Sequence, residues 1–178
     1  MEEILILQMG GTIDKDYPKT RLGYNFEVGD PAVRRILARL RPSRSILTAF
    51  DTVCRKDSQD ITDSDRSALV ERISSANQGK IVITHGTDTM LFTATFLANS
   101  LREREINDKT IVITGSHTPE KFRDSDADFN VGVALGGVQA AAAGVWVTMN
   151  GILLPWDKIA RDDTGQFVPR RPQLPITV

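Results

Sequence analysis

The chain has 178 residues but only one cysteine and two histidines, and its 22 Lys plus Arg are offset by 23 Asp plus Glu. Each scarcity excludes something. Without a basic surplus, the composition carries no footprint for nucleic acid or an anionic membrane surface. Cys54 lies in the apolar run Ile46 to Cys54 and cannot close an internal disulfide, so a reducing compartment, the cytoplasm, is expected. His85 and His117 stand far apart and leave no metal-ligand spacing, so no metal is expected. Neither GxxxxGK[ST] nor a strand-borne GxGxxG occurs, and no cofactor is expected. Met1 is followed by Glu2 and Glu3 rather than by basic residues, and the apolar run after them is short, which is not the pattern of a signal peptide. One long uncharged stretch, Phe129 to Trp156, holds Asn130, Gln139, Asn150, five glycines and Pro155 and lacks an aromatic or basic belt. It reads as a buried helix running into a buried strand, not a membrane span.

What is present is ordinary globular material, 40% hydrophobic and 25% charged, in a length that buries roughly 70% of the unfolded surface in one domain. A single domain over 1–178 is expected, with 151–178 as a C-terminal extension of it. Short β-branched runs recur at Ile4 to Leu7, Ile46 to Val53, Lys80 to Thr84, Thr110 to Thr114 and Val145 to Met149. Near-continuous apolar runs of this kind suit strands covered on both faces. Helical patterns lie between them. Asp30 with Pro31 supplies an N-cap and first turn for Val33, Ile36, Leu37 and Leu40, and Thr62 to Asp65 opens a second helix. Asp88 to Leu101 and Ala127 to Ala143 supply the third and fourth. The alternation predicts an α/β protein, a Rossmann-like or flavodoxin-like three-layer fold with a mainly parallel sheet and helices on both faces. The tail Pro169 to Pro175 reads as a short extended terminus.

In such a fold, ligands bind beyond the carboxyl ends of the strands. The residues there carry hydroxyls and carboxylates: Gly10-Gly11-Thr12, Asp57-Ser58-Gln59-Asp60, His85-Gly86-Thr87-Asp88 and Gly115-Ser116-His117. Taken singly, each has a plain structural reading. Gly-Gly-Thr makes a turn, Thr87 and Asp88 suit an N-cap, and Asp57 to Asp60 suits a solvated turn. His85 and His117 read as satisfied loop histidines and Trp146 as core.

Taken together and in order, Gly10-Gly11-Thr12-Ile13, Asp57-Ser58-Gln59-Asp60, Thr84-His85-Gly86-Thr87-Asp88-Thr89-Met90 and Thr114-Gly115-Ser116 with Ser125 to Asn130 resemble the bacterial-type asparaginase/glutaminase family. The resemblance covers almost the whole chain, most specifically in HGTDTM, and is to the N-terminal domain of the long members. It implies that Thr12 is the nucleophile that forms an acyl-enzyme, with Gly11 beside it. It also implies a second hydroxyl centre at Thr87, an α-amino contact at Asp88 and an α-carboxylate site at Ser58 and Gln59. Tyr24, with Tyr17 as the alternative, matches the tyrosine of a mobile loop, here Asp14 to Gly29.

A chain without the family's second domain is expected, and a further departure is the lysine paired with the second threonine, whose place falls at Arg161. If Trp156 to Asp162 is helical, Lys158 shares a face with Arg161 and supplies the amine, which is the favoured expectation; otherwise Arg161 acts as a fixed charge. The implied activity is hydrolysis of the side-chain amide of L-asparagine, with L-glutamine as a further substrate. A non-catalytic amino-acid-binding module and an amidase for a larger amide are the alternatives. A homodimer or larger homo-oligomer is expected, since the uncharged run and the Pro-rich tail leave surface to cover.

Overall fold

The computed structural model describes residues 2–171. Strand β1 (Ile4–Gly10) leads into a short 3₁₀ turn and a loop with four two-residue strands, β2 (Lys15–Asp16), β3 (Lys19–Thr20), β4 (Gly23–Tyr24) and β5 (Glu27–Val28). Then come α1 (Ala32–Leu40), β6 (Thr48–Lys56), α2 (Asp63–Ser74), β7 (Lys80–Thr84), α3 (Met90–Glu103), β8 (Thr110–Thr114) and α4 (Ala127–Ala140). The chain continues through β9 (Gly144–Met149), β10 (Ile152–Pro155), β11 (Ile159–Arg161) and β12 (Phe167–Pro169).

The main sheet has the order β10-β9-β8-β7-β1-β6; five strands are parallel and β10 runs antiparallel to β9. Strand residues alternate between two cores. Leu5, Leu7, Ile81, Ile83, Ile111 and Ile113 pack with α2 and α3, whereas Ile4, Ile6, Val82 and Val112 pack with α1 and α4. Three layers result, as the alternation of elements predicts. Burial on both faces explains why the strands read as continuous apolar runs, and truncating one such Leu or Ile to Ala costs about 2–5 kcal/mol.

Two features of the sheet bring the functional loops together. In register, Gln8 pairs with Thr84 and Thr84 with Thr114, so β1, β7 and β8 end together and their loops emerge side by side. The chain moves from β1 outward to β6 and then returns to the other side of β1 at β7. That reversal puts the β1 and β7 loops at the switch point of the strand order, where the ligand crevice of such sheets lies.

Several sequence expectations shift. α1 begins at Ala32 with Pro31 in the cap position, and the cap acceptor is Asp14 rather than Asp30: Asp14 Oδ1 accepts from Ala32 N at 2.7 Å. The second strand runs over Thr48–Lys56 instead of Ile46 to Val53. α3 starts at Met90, leaving Thr87 and Asp88 in the preceding turn, and α4 ends at Ala140. Trp146 is half-buried, its indole N–H bonded to Ala142 O at 2.9 Å. The stretch 156–162 is a turn followed by β11 and is not helical; β11 pairs with β12 instead. Phe129 to Trp156 forms most of α4, then β9 and β10, and no helix among the described residues is long and apolar enough to cross a membrane. Of the Pro-rich tail, 172–175 lies outside the described residues.

Candidate active site

β1 ends in a bulge against β6, after which Gly11 takes φ +89°. A Cβ on Gly11 would lie 2.2 Å from Gly86 N, so only glycine lets the loops after β1 and β7 touch backbone to backbone. Thr12 comes next, half-buried at the start of the 3₁₀ turn Thr12–Asp14. That turn is anchored from below. Asp14 is 1% exposed, accepts from Gln8 Nε2 at 3.0 Å and from Ala32 N at 2.7 Å, and is pushed up to about pKa 6 by burial. Gly29 N donates to Asp14 O, so the Asp14 to Gly29 loop closes on its own starting point.

Tyr24 is exposed on the β3–β4 hairpin, while Tyr17 packs against Phe26 and Phe122, each ring centroid 6.0 Å away. Lys15 pairs with Asp57 at 2.8 Å and Lys121 pairs with Asp16. The Lys15 ammonium holds the Asp57 carboxyl below the usual carboxylate range.

On the β6 side, Ser58 is buried at the start of a 3₁₀ turn, and its carbonyl accepts from Thr89 Oγ1 at 2.7 Å. Gln59 Nε2 donates to Asp88 Oδ2 at 2.8 Å, linking the β6 and β7 loops. From the opposite direction, Arg161 on β11 sends Nη1 to Thr87 O and to Asp88 Oδ1, both at 3.3 Å. Its guanidinium is steadied by Nε donating to Gly165 O at 3.0 Å and by the Phe167 ring, 5.5 Å away. Lys158 is exposed in the turn before β11, with Nζ 3.4 Å from Asp157. The expectation that Lys158 shares a helical face with Arg161 is therefore corrected: a strand, not a helix, carries Arg161 to Asp88, and the lysine points to its own neighbour.

The structure thus gathers Gly11, Ser58, Gln59, Thr87, Asp88 and Arg161 at one switch point through these contacts, with Thr12 next to Gly11, and leaves Lys158 and Tyr24 outside them. His117 bonds Asn150 Oδ1 through Nε2 at 3.1 Å, and with Arg161 and Gln166 these residues line a cavity of about 330 Å³ beside Asp88. A larger cavity of about 680 Å³, lined by Leu101, Lys109, Gly144 and Trp156, lies at the other end of the strands. No cluster of three metal-ligating side chains occurs among the described residues. Sequence reasoning missed Asp14 and Gln8, for which the only signal was an acid directly after Ile13.

A polar crevice with two threonines, a backbone-packed glycine floor and a carboxylate held by an amide and a guanidinium can present hydroxyl nucleophiles to a small zwitterionic amide. Known proteins resemble the chain over most of its length. It is 30% identical over 155 residues to an L-asparaginase of Thermococcus kodakarensis, covering 85% of this chain and 45% of that protein. It is 29% identical over 170 residues to L-asparaginase 2 of Escherichia coli, covering 92% of this chain and 47% of that protein. Solved L-asparaginases of T. kodakarensis and Vibrio cholerae both superpose with TM-score 0.77 at 23% identity, covering 94% and 98% of this chain and 51% and 52% of theirs. The chain thus spans about half the length of these relatives. With residues 3–167 matching the family described as "Asparaginase, N-terminal", the chain belongs to the asparaginase family through that family's N-terminal domain.

Proposed function

We propose that this protein hydrolyses the side-chain amide of L-asparagine to aspartate and ammonia, with L-glutamine as a second substrate. Thr12 Oγ attacks the amide carbon, the C–N bond breaks as the leaving nitrogen takes a proton, and water then hydrolyses the threonine ester. Asp88 receives the α-amino group, Ser58 and Gln59 receive the α-carboxylate, and Thr87 faces the scissile amide. The observation that carries this reading is the Gln59–Asp88–Arg161 chain across the mouth of the crevice, which fixes a carboxylate beside Thr87. A guanidinium stays protonated at any working pH and cannot act as the base. Arg161 accordingly serves as a fixed positive charge that orients Asp88 and stabilises the oxyanion. A cytoplasmic location and a homodimer or larger assembly complete the proposal.

A second reading, an amidase for a larger amide, draws on the cavity lined by His117, Asn150, Arg161 and Gln166 beside Asp88. Ammonia release from L-asparagine, D-asparagine, L-glutamine and N-substituted asparagines, run beside calorimetric binding, separates these cases. Turnover of L-asparagine supports the proposal, whereas tight binding without turnover replaces it with an amino-acid-binding module. Arg161→Met should abolish release while Lys158→Met leaves it intact; the reverse pattern would restore the lysine as the amine.

A further inference from the structure

Beneath the crevice lies an ionisable side chain that the proposed reaction does not use. His85 directly follows β7, is fully buried, and precedes Gly86, Thr87 and Asp88. Both ring nitrogens are occupied. Nδ1 lies 2.8 Å from Gly86 O, and Nε2 lies 2.8 Å from Thr93 Oγ1. A carbonyl only accepts, so Nδ1 carries the hydrogen and Nε2 accepts from the Thr93 hydroxyl. The Thr93 hydroxyl in turn accepts from Arg66 Nε at 3.1 Å, so its own hydrogen is free to point at the imidazole. Arg66 is held by Asp63 Oδ1 at 3.0 Å and lies 4.4 Å from the Phe92 ring centroid. Burial pushes the imidazole down to about pKa 4, which keeps it neutral near pH 7.

The backbone that this ring holds is the one on which the other loops rest. A Cβ on Gly11 would meet Gly86 N at 2.2 Å and His85 C at 2.8 Å. A Cβ on Gly86 would meet Ser58 Cβ at 2.6 Å, and one on Gly115 would meet His85 O at 2.2 Å. The loops after β1, β6, β7 and β8 therefore converge on the His85–Gly86 segment. Rotating its carbonyl would displace Thr87 through the chain and press on Gly11, next to Thr12.

We propose, resting on the amidohydrolase reading above, that His85 is a positioning residue: by holding the Gly86 carbonyl, it keeps the Thr87 hydroxyl in register with Thr12, and the Arg66–Thr93 pair holds the ring in the required tautomer. The imidazole is sealed from solvent, so its contribution is geometric and it transfers no proton. Misplacement of a reacting group by about 1 Å costs up to about 100-fold in rate, enough for a remote ring to matter.

The test is steady-state ammonia release from L-asparagine by the wild-type chain, His85→Leu, His85→Asn and Thr93→Val, each with a thermal melt and a pH–rate profile. The Asn amide can replace Nδ1 as donor to the Gly86 carbonyl. His85→Leu should lower kcat about tenfold or more with KM nearly unchanged, and Thr93→Val should lower it less. His85→Asn should recover most of the lost kcat, and no variant should shift the pH profile. An active wild type with unchanged kcat in His85→Leu and Thr93→Val overturns this inference alone. So does a His85→Asn as impaired as His85→Leu, which would mean that a donor to the Gly86 carbonyl is not what the ring supplies, or a displaced pH limb, which would mean that the ring moves a proton. If His85→Leu does not fold, Thr93→Val decides by its kcat. A wild type that hydrolyses neither L-asparagine nor L-glutamine overturns the proposed function and this inference with it.

Discussion

The crevice floor and the loop over Lys15 to Val28 are adjacent in sequence yet built on opposite plans. The floor consists of buried strand ends and glycines in backbone contact, where Leu7, Met9, Ile83 and His85 are 0% exposed and an added methyl at Gly11 or Gly86 would clash. The loop consists of two-residue strands, exposed side chains such as Leu22 and Tyr24, and a few tethers: the Tyr17–Phe26–Phe122 ring cluster, Lys15–Asp57 and Lys121–Asp16. Close packing fixes geometry because any displacement creates voids or clashes, whereas exposed ion pairs contribute only about 0–1 kcal/mol each. In the proposed reaction the floor holds the reacting groups still and the loop opens and closes over them.

The sharpest way to break this contrast is Gly11→Val. Its Cβ would meet Gly86 N at a φ that β-branched residues avoid, so the chain should fail to reach the native state, as seen by loss of a cooperative melt. Next in size, Thr12→Ala should leave the melt within a few degrees of wild type while ammonia release falls by about three powers of ten or more, equivalent to about 4 kcal/mol. Retained activity would remove the nucleophile from Thr12.

The third test lies under the floor. Asp14 has a folded pKa of about 6 against 3.8 for the free side chain. Because the folded state then holds the proton more tightly, stability is highest at low pH from this group and falls as pH rises from about 4 to about 6, by about 3 kcal/mol, with no further loss above that window. Asp14→Asn should flatten that part of the pH–stability curve; a slope identical to wild type would show that the Asp14 pKa is the same in the folded and unfolded chain. The smallest effect belongs to the loop. Phe122→Ala should change stability by about 1 kcal/mol while speeding tryptic cleavage at Lys19 and Arg21 several-fold. Unchanged cleavage would mean that the rings do not tether it.

The same contrast governs how much of the molecule is legible in its sequence. Doubly buried strands announce themselves: Ile4 to Leu7, Ile81 to Ile83 and Ile111 to Ile113 are apolar without interruption because both faces are covered. The strand-end positions of Gly11, Ser58 and Thr87 are legible from that pattern. Short elements carry too few residues for a period, so β11 and β12 leave no trace in the sequence, and the helix over 156–162 on which the Lys158 expectation depended does not form. Capping by a distant residue is equally silent: Asp30 beside Pro31 has the right composition, but the acceptor is Asp14, eighteen residues before Ala32. The Arg161–Asp88 contact and the Arg66–Thr93–His85 line join residues from different elements, and no local pattern encodes them.

The reversal of strand order at β1 also has a kinetic side. β1 lies inside the sheet, with Ile4 paired to Thr48 on one edge and to Lys80 on the other. Both partners are distant in sequence, so every closure that completes β1 is a long-range one, the kind that slows folding. At roughly 5–20 residues per second of synthesis, the strand waits several seconds for β7 to be made, its apolar faces and one or both edges unsatisfied meanwhile. The same interior placement that gives the site its rigid floor makes β1 one of the strands most exposed to misassociation while the chain is being born.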